Sequence, residues 1–167
     1  RLKPNADVYF NLGFIRDKAG RNEQAVEAFR EAVRLKPSLD RAWYGMGLAL
    51  GALGRHQEAA QALEEAGRLQ PMNGHAWYAL GMAYHHAHQP EKVKEVALHM
   101  VRFDPAMTRQ LIKEAERADL ADPGLGELVL HLHDALVLGD DAVEPVVERT
   151  ADAPMRFALA IDQPGST

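Results

Sequence analysis

One tetrapeptide recurs along the chain at an almost constant interval, and this recurrence limits the possible folds more than any other feature. Arg1-Leu2-Lys3-Pro4 reappears unchanged at residues 34–37, and it returns in altered form at residues 68–71 and 102–105. The prolines that close the four copies are separated by 33, 34 and 34 residues. A period of this length is typical of chains built from stacked helical units.

Two further residue series follow the same period and predict two helices in each unit. The first series places an aromatic residue four positions before a glycine, at Tyr9/Gly13, Trp43/Gly47 and Trp77/Gly81. The second places small and apolar residues at spacings of four and three, at Ala25-Phe29-Ala32, Ala59-Leu63-Ala66 and, more loosely, Val93-Ala97-Met100. These spacings put side chains on one face of a helix. Turn residues at 20–22, 54–56 and 88–90 separate the two helices of each unit.

The presence of a glycine inside each first helix requires a physical explanation. A glycine inside a helix costs about 1 kcal/mol relative to alanine. We expect each of these glycines to allow close approach of the second helix of its own unit, which a Cβ atom would block.

These features resemble the tetratricopeptide repeat family. The family pattern of Trp, Leu-Gly, Tyr, Ala, Phe, Ala and Pro is met in the second unit by Trp43, Met46-Gly47, Leu50, Ala59, Leu63, Ala66 and Pro71. Arg16 departs from the pattern, and the second helix of the third unit follows it loosely. The resemblance implies an all-α, right-handed solenoid of three helix pairs, with repeats near 6–39, 40–73 and 74–107.

Both ends of the chain depart from this repeat. Residues 1–4 are interpreted as the end of a preceding repeat in a longer protein. Residues 106–121 are predicted to form a capping helix, because solenoids need a terminal helix with a polar outer face. Its apolar side would carry Leu111, Ile112, Ala115 and Ala118. Residues 122–167 are predicted to form short helices, with a small strand-containing appendage as the alternative.

The resemblance also implies a binding surface, because the first helices of tetratricopeptide repeats line a concave groove that holds peptides. The corresponding residues are Phe10, Asn11, Phe14, Asp17, Tyr44, Leu48, Tyr78, Met82 and His85. Phe10, Tyr44 and Tyr78 occupy one equivalent position and would form an aromatic ladder. Exposed aromatic residues often mark a partner site. In the alternative interpretation, neighbouring first helices or a folded-back C-terminal segment bury the ladder.

The chemistry of the expected partner is apolar or mixed. Repeat proteins that hold the C-terminal carboxylates of chaperones resemble one another in a clamp of Lys, Asn and Arg residues. The matching positions here are Phe10 and Phe14, Gly45, and His75 and Ala79. An amphipathic helix or an extended peptide fits these positions better. We therefore expect a scaffold or adaptor that is not an enzyme, with self-assembly into homo-oligomers as the alternative.

Composition narrows the remaining function classes. The formal net charge of -5 disfavours nucleic acid as a partner. No stretch approaches the roughly 20 apolar residues of a membrane-spanning helix, and no phosphate-binding glycine loop or hydrolase motif is found. A cytoplasmic location is expected, with a periplasmic or membrane-anchored context as the alternative. The composition, rich in alanine, arginine and histidine, suggests a bacterial source.

Histidines are the one candidate for metal chemistry. His85, His86 and His88 cluster at the end of a first helix, and His131 and His133 form a second pair. The chain has no cysteine, and no close carboxylate completes a ligand set around His85 and His88. We therefore predict neither a bound metal nor another cofactor, and interpret the cluster as a solvated helix end where cationic histidine favours the helix dipole.

Overall fold

The computed structural model describes residues 3–118, which contain seven α-helices and no strand. The all-helical prediction is therefore confirmed for this part of the chain. The helices are α1 (Ala6–Lys18), α2 (Asn22–Leu35), α3 (Asp40–Ala52), α4 (His56–Leu69), α5 (Gly74–His86), α6 (Pro90–Met100) and α7 (Pro105–Ala118). The predictions for residues 119–167, including the extension and the second histidine pair, lie outside the described residues.

Short turns of one kind join the two helices of each repeat. Gly20 and Gly54 end these turns with φ angles of 71° and 75°, in the left-handed region that glycine enters without steric cost. His88 occupies the equivalent place in the third repeat with a φ of 56°. A residue with a Cβ atom is strained in this region, so the third turn has a histidine where a glycine would fit more easily.

Close contact between glycine and a large side chain joins the helices of the first two repeats, as the sequence predicts. A Cβ atom on Gly13 would lie 2.7 Å from the Phe29 ring, and one on Gly47 would lie 2.5 Å from Cγ of Leu63. Gly45, in the next repeat, faces the same Phe29 ring at 2.7 Å. Phe29 therefore fills a space between α1, α2 and α3 that exists only because two glycines have no side chain.

In the third repeat the side chain nearest to the glycine belongs to a different helix. A Cβ atom on Gly81 would lie 2.5 Å from Leu111, which belongs to α7 and not to the second helix α6. The residue of α6 equivalent to Phe29 and Leu63 is Ala97. Alanine is too small to reach a facing helix in this way, and the leucine of the next helix takes that contact instead.

The helix α7 begins at Pro105, directly after the fourth proline-containing tetrapeptide. The backbone N–H of Met107 donates to Oδ1 of Asp104 at 3.0 Å, so Asp104 caps its start. Its buried residues include Thr108, Leu111, Ile112 and Ala115. Leu111, Ile112 and Ala115, which were expected on the apolar side of the capping helix, are therefore buried. The role of this helix as the end of the array stays a prediction.

The order of contacts places the first helices on the inner side of the array. α1 contacts α3 and α3 contacts α5, whereas within residues 3–118 no second helix contacts another second helix. The first helices α3 and α5 also pack against the second helix before them, since α2 contacts α3 and α4 contacts α5. The repeats therefore curve with α1, α3 and α5 facing inward. No helix described between residues 3 and 118 has the length and apolarity needed to cross a bilayer.

Two tryptophans fix the links between repeats. The indole N–H of Trp43 donates to the carbonyl of Pro37 at 2.8 Å, and that of Trp77 donates to the carbonyl of Pro71 at 2.9 Å. Each bond joins a first helix to the turn that precedes it. The recurring tryptophan and the recurring proline are therefore two parts of one structural contact.

Two alanine substitutions in α3 test the close contact between helices. Gly47→Ala should lower the free energy of unfolding by about 1–3 kcal/mol, because the new methyl group overlaps Leu63. Gly51→Ala should raise it by up to about 1 kcal/mol, because nothing lies within 4 Å of that position and alanine favours helix. Urea unfolding followed by circular dichroism measures both changes. If both substitutions changed the free energy of unfolding in the same direction, the close contact between Gly47 and Leu63 would be contradicted.

Candidate functional site

The inner surface is built from rows of equivalent residues, one from each first helix. The predicted site residues belong to four such rows, in which successive members are 34 positions apart. The rows are Phe10/Tyr44/Tyr78, Asn11/Gly45/Ala79, Phe14/Leu48/Met82 and Asp17/Gly51/His85.

The aromatic ladder begins with Phe10, and this ring is partly covered. Its centroid lies 6.0 Å from that of Phe29 in the core. The guanidinium carbon of Arg41 lies 4.6 Å from the Phe10 centroid, a cation–π distance. The same guanidinium forms an ion pair with Asp7, with Nη2 and Oδ1 2.5 Å apart. Arg41 of α3 therefore bridges to α1 and occupies the space above the ring.

The other two rings of the ladder are also half-buried. Burial raises the pKa of Tyr44 above its ordinary value. Burial, followed by a hydrogen bond with Glu114 of α7, raises the pKa of Tyr78 to about 12. The protein itself therefore covers a portion of each ladder ring. The ladder forms a floor, and α7 approaches it at the third repeat.

The row Phe14/Leu48/Met82 is more open than the ladder. Phe14 is 49% exposed and Leu48 is 43% exposed, and Met82 is half-buried. The ammonium of Lys18 lies 5.3 Å from the centroid of Phe14. Large apolar side chains exposed at one equivalent position of adjacent repeats form a continuous stripe, which is the kind of surface that binds partners.

The remaining predicted residues lie on the first helices as follows. Asn11 is exposed, and Asp17 and His85 are half-buried. Asp7 and Arg41 also belong to the inner surface and were not predicted from the sequence. A signal was present, because the two residues are 34 positions apart and carry opposite charges. Glu114 was missed as well, and no repeat position could have predicted it, because α7 does not continue the repeat.

Comparisons of the sequence with known families agree with this geometry. A family model described as a TPR repeat matches residues 18–54, and one described as a tetratricopeptide repeat matches residues 44–92. The chain contains a tetratricopeptide-repeat array. A search of curated protein sequences gives no match.

Solved tetratricopeptide-repeat structures share the fold at low sequence identity. MamA from Desulfovibrio magneticus RS-1 is 22% identical with a TM-score of 0.63, covering 81% of this chain and 78% of its own. The second repeat domain of human RPAP3, solved with an HSP70 peptide, is 15% identical with a TM-score of 0.62. The match covers 66% of this chain and 94% of the RPAP3 domain. YrrB, a protein with an unusual peptide-binding site, is 22% identical with a TM-score of 0.61. The match covers 66% of this chain and 58% of YrrB.

A cavity of about 420 Å³ lies on the opposite side of the tetratricopeptide-repeat array, between α4 and α6. Its charged groups already have partners within the chain. Tyr84 donates to Glu64, and Arg68 pairs with Glu65 at 2.8 Å. Burial and the bond to Glu64 raise the pKa of the Tyr84 phenol. The bond between Tyr84 and Glu64 joins α5 to α4, and the pair of Arg68 and Glu65 lies within α4.

A histidine patch lies where the turns of the second and third repeats meet. The rings of His56 and His86 are stacked with centroids 4.9 Å apart, and His85 lies 5.3 Å from His86. Gln89 and Gln57 join the two turns by a hydrogen bond of 2.7 Å. Among residues 3–118, no group of three or more histidine or acidic side chains is arranged to hold a metal ion.

The histidine patch makes the free energy of unfolding depend on pH. Burial, and then the charges of His86 and His88, lower the pKa of His56. A histidine whose pKa is lower in the folded state than in the unfolded state binds fewer protons when folded. Stability is therefore lost as the pH falls below about 6.5, the ordinary histidine value. The nearby Arg55 is paired with Glu58 at 2.5 Å, so this carboxylate is already engaged by a cation.

We expect His56→Gln to reduce the loss of thermal stability between about pH 7.5 and about pH 5.5, because the variant no longer takes up this proton on unfolding. His86→Gln should reduce the same loss of thermal stability in part, because it removes the ring that stacks on His56. Scanning calorimetry of the three proteins at both pH values measures the effect. An unchanged loss in His56→Gln would contradict the assignment.

Proposed function

We propose that the array is a scaffold that binds an apolar segment of a partner protein on its inner surface. The observation that supports this proposal is the row Phe14, Leu48 and Met82, in which Phe14 and Leu48 expose nearly half of their side-chain surface. The half-buried ladder lies beside this row on the same helices and supplies the floor of the surface. The open row supplies side chains that a partner can cover.

The geometry of the row limits the form of the ligand. Packed helices lie about 8–10 Å apart, so neighbouring members of the row have roughly this spacing. One turn of a polyproline II helix contains three residues and spans about 9 Å, and two turns of an α-helix span about 11 Å. A fitting ligand therefore carries apolar side chains about three residues apart if it forms a polyproline II helix, or about seven residues apart if it forms an α-helix.

The charges of the surface favour an apolar or mixed ligand over an anionic one. Arg41 is already paired with Asp7, and Lys18 lies over the ring of Phe14. The positions that match the chaperone-carboxylate clamp carry Phe, Gly, His and Ala residues. The human RPAP3 domain was solved with an HSP70 peptide, and YrrB has an unusual peptide-binding site. Peptide binding on this chain would use a different set of contacts from that clamp.

Peptide selection followed by substitution tests the proposal. A displayed library of random peptides is selected on the wild-type protein, and the affinity of a selected peptide is measured by fluorescence anisotropy. The double variant Phe14→Ser, Leu48→Ser should weaken binding by at least about tenfold, because it removes the largest exposed apolar side chains of the row. These two residues are better test positions than the ladder, whose rings also pack against the core.

A matched control separates this surface from general apolar exposure. Leu98 on α6 is 52% exposed, similar to Phe14 and Leu48, but lies on a second helix. Leu98→Ser should leave the affinity of the peptide unchanged. The inner surface would be rejected as the binding site if Leu98→Ser weakened peptide binding as much as the double variant does. It would also be rejected if the double variant did not weaken peptide binding.

A further inference from the structure

The cavity of about 420 Å³ between α4 and α6 lies on the side of the array opposite the inner surface. Its floor is one face of α5, formed by Trp77, Leu80 and Tyr84 at spacings of three and four residues. Leu80 and Tyr84 are buried, so the floor is apolar apart from the Tyr84 hydroxyl. A cavity of this size is large enough for a small ligand. The side chains that α4 and α6 contribute decide which chemistry it accepts.

Two carboxylates lie near the Tyr84 hydroxyl, one from each wall of the cavity. The hydroxyl donates a hydrogen bond to Glu64 of α4. Burial and this bond raise the pKa of the Tyr84 phenol, and the negative charges of Glu64 and Glu95 raise it further. Glu95 belongs to α6, so negative charge acts on one end of the floor from both sides. That end of the cavity therefore favours a positively charged group.

The charge of Glu64 is not neutralised by an ion pair among the described residues. Within residues 3–118 its hydrogen-bond partner is the neutral Tyr84 hydroxyl, and it belongs to none of the ion pairs. The neighbouring Glu65, in contrast, is paired with Arg68 at 2.8 Å. Glu95 is 3.4 Å from Lys92 in an exposed pair, and such pairs contribute little. A cation that enters the cavity can therefore contact Glu64 without displacing another cation.

The equivalent groove between α2 and α4 lacks this combination of residues. The residues 34 positions before Glu64, Tyr84 and Glu95 are Arg30, Leu50 and Gln61. The tryptophan is retained, since Trp43 and Trp77 are equivalent and each donates its indole N–H to the preceding proline carbonyl. The two grooves thus share this structural contact, whereas the carboxylates and the phenol occur in the second groove alone.

We propose that the cavity between α4 and α6 binds an arginine side chain of a partner protein. The guanidinium lies between Glu64 and Glu95, and the methylene groups lie against the apolar floor. A guanidinium suits two separate carboxylates because it presents several N–H donors in one plane, whereas an ammonium is a compact and strongly hydrated charge. The site lies opposite the inner surface, so the proposal does not depend on peptide binding there.

The cations at the rim favour an arginine within a chain over the free amino acid. Arg68 and Lys92 also line the cavity, and both are already in ion pairs. The α-carboxylate of free arginine would have to compete with Glu65 or Glu95 for these cations. An arginine residue in a peptide has no such carboxylate, so it leaves both ion pairs intact.

The two tryptophans of the chain supply one reporter for each groove. A ¹H–¹⁵N spectrum of the full chain contains two indole signals, which Trp43→Phe assigns. N-acetyl-arginine amide should shift the Trp77 signal, with a dissociation constant on the order of 1 mM, and leave the Trp43 signal unchanged. N-acetyl-citrulline amide has nearly the same shape but no charge. It should bind at least about tenfold more weakly, because charge-assisted hydrogen bonds are lost.

Two glutamine variants separate the charge of the cavity from its structure. Glu64→Gln removes the charge but retains a carbonyl oxygen that can accept the hydrogen bond of Tyr84. This variant should bind the arginine amide at least about tenfold more weakly. Glu91→Gln is the matched control, because it removes a carboxylate of α6 that does not line the cavity. It should leave the affinity unchanged, and the same spectra check that both variants are folded.

Four results would overturn the proposal. The first is an arginine amide that leaves the Trp77 signal unchanged or shifts the Trp43 signal equally. The second is a citrulline amide that binds as tightly, which would assign the cavity to an uncharged side chain. The third is a Glu64→Gln variant that binds the arginine amide no more weakly than Glu91→Gln does. The fourth is free arginine that binds at least about tenfold more tightly than the amide, which would assign the cavity to a small molecule.

Discussion

The structure depends on close contact between a residue without a side chain and a large apolar residue of a neighbouring helix. Phe29 contacts both Gly13 and Gly45, Leu63 contacts Gly47, and Leu111 contacts Gly81. Neither helix of a repeat could bury its apolar stripe alone, so the stability of the array comes from these contacts between neighbours. The helix propensity lost at each glycine, about 1 kcal/mol, is offset by the burial of a side chain that a methyl group would displace.

The same contacts determine which side chains remain for binding. They bury one stripe of each first helix and place α1, α3 and α5 on the inner side of the array. A second stripe of those helices then faces inward, with Phe14, Leu48 and Met82 in one row. Because the repeat length is constant, equivalent residues lie at the same place on successive first helices and form a row. An exposed apolar row therefore arises from the repeat spacing together with the choice of apolar residues at one position.

The sequence predicted those features that recur with the period. The helix pairs, the turns at Gly20 and Gly54 and the contact of Gly13 with the second helix follow from local spacing that each repeat satisfies. The contact of Gly81 with Leu111 could not be predicted in this way, because it depends on Ala97 being too small and on a helix that does not continue the repeat. The hydrogen bond between Tyr78 and Glu114 has the same origin. The sequence thus predicted the position of the ladder, but not the extent to which Arg41 and α7 cover it.

Site-specific photocrosslinking tests the central claim, that the open row on the inner side of the first helices is the partner surface. A benzophenone amino acid is placed at Leu48 in one protein and at Leu98 in another, and each is irradiated with a peptide selected on the wild type. We expect crosslinks from position 48 and none from position 98, since only position 48 belongs to the row. Crosslinks from position 98 alone would instead place the partner on the second helices.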